Sequence, residues 1–114
     1  MPKAKPQSSK AEYVTVGKTS DVAPGAVRVF VVDGQDVAVA NVGGQFYAFA
    51  DVCTHDGGSL AGGELDNCVI ECPRHGARFD IATGQALSMP AVVPIPVYDL
   101  KINGDEIQVC RRPK

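Results

Sequence analysis

The sequence contains no Trp, only four Phe and three Tyr, and two His among its 114 residues. With aromatics this scarce, the core is expected to be built mainly from Val, Ile, Leu and Ala. Nor is there an apolar run of signal-peptide or membrane-span length, either in the opening MPKAKPQSSKAEY or later. That excludes a membrane-spanning helix and sets the expectation of a soluble, cytoplasmic protein, with no membrane partner, whose cysteines stay reduced. Helical periodicity sustained over three turns is missing as well. A basic face is lacking too. The first ten residues and the last four hold six of the eleven Lys and Arg (Lys3, Lys5, Lys10, Arg111, Arg112 and Lys114). The body keeps five basic residues against all thirteen acidic ones. Nucleic-acid binding needs a concentrated basic surface on the domain itself, so it is excluded. An acidic body aids solubility and can steer the chain toward a basic patch on a partner.

What is present suits one small domain. A chain of this length buries a limited share of its surface and gains from a metal or another staple. Apolar residues make up 45%, and twelve Gly and eight Pro are too many for a helical bundle. Residues 1–11, polar with two prolines and three lysines, read as a disordered tail, 12–110 as the folded domain and 111–114 as a basic tail.

Turn signals recur at strand spacing along the domain. Tyr13–Val16, Val27–Val32, Val37–Ala40 and Phe46–Ala50 read as strands separated by Ala23-Pro24-Gly25, Asp33-Gly34 and Gly43-Gly44. Cys68, Ile70 and Cys72 alternate with Val69 and Glu71, and Thr83-Gly84 marks another turn. Val97–Ile102 and Glu106–Cys110 flank Asn103-Gly104, a tight-hairpin signal. The expected fold class is all-β, with antiparallel strands packed as small sheets or a partly closed barrel.

Two segments break the strand rhythm, about 53–63 and 72–80, and they hold both histidines. The pattern is Cys53-x-His55, sixteen intervening residues, then Cys72-x-x-His75. Each loop offers one thiolate and one imidazole to a shared centre. On the residues alone three readings stand side by side. They could be ordinary core residues. They could form a structural zinc site of two Cys and two His, although zinc modules usually pair like with like. Or they could hold a [2Fe–2S] cluster with two thiolates on one iron and two imidazoles on the other. Cys68 and Cys110 read as buried structural thiols, with a disulfide between them as the alternative, and Asp56 beside His55 as a solvated loop acid or as a group orienting an imidazole. Arg74 reads equally as a loop charge or a partner contact.

Cys53-Thr54-His55 and Cys72-Pro73-Arg74-His75-Gly76 resemble the two cluster-binding boxes of the Rieske family. The likeness continues through Leu60–Leu65, Phe79-Asp80, Thr83-Gly84, the proline-containing stretch from Pro90 to Tyr98, and Gly104-Asp105. It implies the family's all-β fold with a cluster-binding subdomain, and one [2Fe–2S] cluster held by Cys53, His55, Cys72 and His75. In respiratory members of the family a Ser and a Tyr follow the second box, and a disulfide joins the boxes. The matching positions here are Ala77, Phe79, Gly58 and Arg74, which implies a low potential within the family's range.

The resemblance further implies a monomeric one-electron carrier, without catalysis of its own. It would take electrons from a flavin-dependent reductase and pass them to a terminal, ring-hydroxylating oxygenase. The alternative is a small subunit of a larger reductase, of the nitrite reductase kind. A catalytic oxygenase is excluded for this chain, because no His remains for a second iron site once His55 and His75 are used.

Overall fold

The computed structural model describes residues 12–54, 57–74, 76–88 and 93–114. The expected N-terminal tail, His55, Asp56, His75 and Pro90 lie outside the described residues. Among the described residues, ten strands form two antiparallel sheets. The larger has the order β1(Tyr13–Lys18), β10(Glu106–Pro113), β9(Val97–Asn103), β4(Gln45–Ala50), β3(Gln35–Val42) and β2(Val27–Val32). It curls until its edge strands β1 and β2 approach each other, giving a nearly closed barrel. The smaller sheet runs β5(Glu64–Asp66), β6(Val69–Glu71), β7(Arg78–Asp80) and β8(Ala86–Ser88). The expected all-β class is what the chain adopts.

Alternation along β3 and β4 divides the interior into two cores. Val37, Val39, Ala48 and Ala50 point into the barrel, where Val32, Tyr98, Ile107 and Val109 meet them. Ala38, Ala40 and Phe49 point the other way and pack with Leu60, Ile70, Phe79 and both Cys53 and Cys72. Successive strand residues face opposite sides, so a strand buried on both faces reads as an unbroken apolar run. That accounts for Val37-Ala38-Val39-Ala40. The small side chains on the outer face let the second sheet settle closely onto the wall.

Buried Asn41 is the polar tie of the barrel. Its side-chain amide donates to Val22 O at 2.8 Å, and its carbonyl oxygen accepts from Gly44 N at 2.8 Å. Its backbone bonds both Gly25 and Ala26. One residue thus joins the β1–β2 connection to the β3–β4 turn.

The structure departs from the expected elements in three places. The last hairpin pairs Asn103 with Glu106, so Gly104-Asp105 forms its tip, one residue later than Asn103-Gly104. Only Gly104 there has positive φ, at 66°, which suits a turn needing glycine at its first central position. Strand β10 continues through Arg111 and Arg112, beyond the expected end at Cys110, because β1 and β2–β3 supply partners. Arg111 N donates to Glu12 O, the Arg111 guanidinium pairs with Asp33 at 3.3 Å, and Arg112 pairs with Glu12. Finally, Cys68 and Cys110 are half-buried rather than buried, and no disulfide joins them.

Replacing Asn41 with Ala leaves Val22 O and Gly44 N without their buried partner. The expected cost is about 1–3 kcal/mol, read as a lower denaturant midpoint with an unchanged m-value.

Candidate metal centre

Both cysteines expected as ligands lie at the base of the second core, Cys53 with no exposed surface and Cys72 at 1%. The two loops repeat one backbone device. Cys53 N donates to Gly58 O at 2.7 Å, and Gly57 N donates back to Cys53 O at 2.6 Å. Cys72 N donates to Ala77 O at 2.7 Å, and Gly76 N to Cys72 O at 3.1 Å. In each loop the fourth residue after Cys is a glycine with positive φ, 78° at Gly57 and 77° at Gly76. A side chain there would strain the bend that closes the loop. Two matching loops therefore bring two thiols into one core, while Pro73, Arg74 and Gly57 lie at the surface.

The loops are closed differently. The second caps the β6–β7 hairpin, in which Glu71 pairs with Arg78 and Ile70 with Phe79. The first follows β4 and has no such ladder. Instead, Asp51 reaches across its two ends. Oδ1 accepts from Leu60 N at 2.8 Å and Ala61 N at 2.9 Å, and Oδ2 accepts from the Ser59 hydroxyl at 2.7 Å. Asp80 plays a local role after the second loop, accepting from Ala82 N and Thr83 N. Sequence reading singled out neither carboxylate as a positioning group. An Asp placed before a Gly/Ser-rich loop is the available signal, since short acidic side chains bond nearby backbone amides.

The loops also touch each other's supports. Gly63 packs so tightly against β6 that a Cβ built on it would lie 1.8 Å from Glu71 O. The Thr54 hydroxyl donates to Val93 O at 2.7 Å, and Ile95 N donates to Gly84 O at 2.8 Å. The segment entering β9 is thereby tied to the first loop and to the β7–β8 turn.

Electrostatically the second loop carries charges of both signs, Glu71 with Arg74 and Arg78. The Glu71 carboxylate sits over the second loop, with Oε2 3.5 Å from where a Gly76 Cβ would be, and pairs with exposed Arg78 at 3.9 Å. Ala77 and Phe79 are fully buried. Tyr47 on β4 and Cys68 in the β5–β6 turn both pack against the second core. Hydrogen bonding toward Cys68 and its charge, followed by desolvation and Asp80, hold the Tyr47 phenol above its ordinary range.

Two buried thiols on matched loops fit the thiolate half of a [2Fe–2S] centre. Such a fold and site define a small iron–sulfur electron-transfer domain. Residues 12–99 match the Rieske [2Fe-2S] domain family, and the chain belongs to it. Its cofactor is accordingly one [2Fe–2S] cluster, and it is an electron-transfer component rather than a catalyst.

Among its relatives, Ferredoxin CarAc of Metapseudomonas resinovorans is 42% identical over 103 residues, spanning 90% of this chain and 96% of the relative. The ferredoxin component of biphenyl 2,3-dioxygenase from Rhodococcus jostii is 38% identical, spanning 80% and 85%. A solved structure, the complex of reduced oxygenase and oxidized ferredoxin in carbazole 1,9a-dioxygenase, contains a similar chain. It is 41% identical with a TM-score of 0.84, and the match covers 90% of this chain and 96% of that one. A putative nitrite reductase small subunit shares the fold at a TM-score of 0.77 but only 16% identity.

Replacing Gly63 with Ala drives a methyl group into the Glu71 carbonyl and must part the first loop from β6. Overpacking of this kind costs about 1–3 kcal/mol. Thermal unfolding of Gly63→Ala should show that loss, whereas Gly62→Ala, with open space around it, should match the parent.

Proposed function

We propose that this protein carries single electrons from a flavin-dependent reductase to a terminal oxygenase of the ring-hydroxylating kind. The observation that carries the reading is the matched pair of loops burying Cys53 and Cys72 in one core. The relatives named as ferredoxin components of dioxygenases, and the ferredoxin solved together with its oxygenase, support the choice of partner. The nitrite reductase small-subunit reading has only the shared fold behind it.

In this proposal Cys53 and Cys72 hold one iron and His55 and His75 the other. When bound, the cluster takes up one electron and returns it. The chain's own residues do the rest. Cys53 and Cys72 are kept from water by Leu60, Ile70 and Phe79, so the thiolate side is shielded. The exposed Pro73, Arg74, Gly57 and Val93 border the loops and give a partner direct access to them. We further propose that the carrier works as a cytoplasmic monomer. No described helix is long and apolar enough to cross a membrane. A mobile shuttle must also leave one partner before meeting the next.

The environment also sets the direction of the potential. Hydrogen-bond donors to cluster sulfurs stabilise the added negative charge, and nearby carboxylates oppose it. With Ala77 and Phe79 at the positions that would carry hydroxyls, the midpoint belongs at the low end of the family range, about −150 mV. Replacing Ala77 with Ser supplies a donor, and the expected upward shift is on the order of 50–100 mV. An unchanged or lowered midpoint would refute this account of the tuning.

Electron paramagnetic resonance of the dithionite-reduced protein, purified without air, tests the cluster assignment. The expected signal has an average g below that of all-thiolate clusters, because two ligands are nitrogen. Cys53→Ser or His75→Ala should abolish or alter it. A colourless, redox-silent sample with stoichiometric zinc would overturn the proposal.

A further inference from the structure

We propose that Asp51 is a positioning residue for the cluster, standing in for the hairpin that the first loop lacks. The inference rests on the reading that Cys53 and its partners hold the [2Fe–2S] group. The two loops share the same internal bonds, yet among the described residues only the second is closed by a β ladder, through Glu71 and Arg78. Beyond Gly58 the chain after the first loop leaves instead of pairing back along β4. The first loop's entry and exit are therefore brought together by side-chain bonds and packing rather than by strand pairing.

Asp51 makes its part of this closure from a fixed base. Its own amide donates to Asp36 O at 3.1 Å, and the preceding Ala50 N donates to Pro96 O at 2.9 Å. The backbone at the end of β4 is thus bound on one side to β3 and on the other to the approach to β9. From this base the carboxylate takes the Leu60 and Ala61 amides on Oδ1 and the Ser59 hydroxyl on Oδ2. Ser59 Oγ also accepts from Ala61 N at 3.3 Å. The loop exit is therefore held beside the loop entry, two residues before Cys53. Leu60, fully buried against the same core as Cys53, is locked in by this contact. Bonds to an ionised acceptor are stronger than neutral ones, so one carboxylate can replace a short ladder.

The test compares Asp51→Ala, Asp51→Asn and Ser59→Ala with Val109→Ala, a cavity variant in the barrel core far from the loops in packing. Three readouts are taken: cluster loss under a chelator, the spectrum of the reduced protein, and amide exchange at Leu60 and Ala61. Outer-shell partners of metal ligands typically matter by about 10- to 100-fold in retention, and Asp51→Ala is expected to lose its cluster faster by that factor. Its reduced spectrum should shift or broaden, and both amides should exchange faster.

Asp51→Asn keeps one oxygen for the two amides and should fall between Asp51→Ala and the parent. Val109→Ala should lower the unfolding temperature while keeping the parent's cluster retention and spectrum. The proposal is overturned if Asp51→Ala retains the cluster as the parent does. It is also overturned if cluster loss across all variants simply follows unfolding temperature. Should Asp51→Ala fail to fold, Asp51→Asn and Ser59→Ala decide the question by the same comparison. A parent protein without the reduced-cluster signal would instead refute the cluster assignment, and the two failures are thereby distinguished.

Discussion

Everything in this molecule hangs on a wall that is buried on both sides. Strands β3 and β4 must fill a barrel with one set of alternate residues and support a second sheet with the other. The period of two in a strand makes this possible, and it makes the register unforgiving, since a slip of one residue would exchange the two cores. Side-chain size decides which face can do which job. Val37 and Val39 fill the barrel, while Ala38 and Ala40 keep the outer face low enough for Leu60, Ile70 and Phe79 to pack onto it. The metal-binding loops inherit their position from that close approach. Bulky residues at 38 or 40 would lift the smaller sheet and carry both cysteines with it.

On this base the chain builds the same loop twice and secures it by two means. The repeated bonds from Cys to the fifth residue and from the fourth residue back to Cys set the local shape. They cannot by themselves hold a loop against the wall. The second loop is secured by strand pairing, and the first by a carboxylate with three donors. The asymmetry follows from chain direction: β6 and β7 run out and back through the second loop, whereas after the first the chain must still travel to β5.

The main strands were legible because their apolar alternation is long and their turns are marked by glycine. Val27–Val32 reads from the sequence as it folds, and β3 and β4 differ only at their ends. Strands β5, β7 and β8 escaped the periodicity reading. Each has three residues, too few to show a period, and each exists because neighbours supply the hydrogen bonds. The shift of the last hairpin tip to Gly104-Asp105 has a similar origin, since pairing along β9 and β10 outweighs the local preference of Asn-Gly. In the site, the two cysteines were legible through their spacing and now lie in one core. His55 and His75 remain assigned through the sequence pattern and the family. Asp51 was not visible in that way, because its role depends on which backbone amides the fold brings within reach.

An electron carrier gains little from movement at its redox centre. Each displacement of ligands or dipoles on reduction adds to the barrier, so a rigid, preorganised shell speeds exchange with either partner. The architecture answers that demand by separating tasks. The barrel, tied by Asn41 and by the Arg111–Asp33 and Arg112–Glu12 pairs, provides stiffness, and the outer faces of β3 and β4 pass it to the loops. The second core shields the thiols, and the segment entering β9 is tied to the first loop through Val93 and to the β7–β8 turn through Ile95. Only the outer rim of the loops is left to meet a partner. Stiffness behind and access in front are what a centre needs when it must accept an electron on one encounter and give it up on the next.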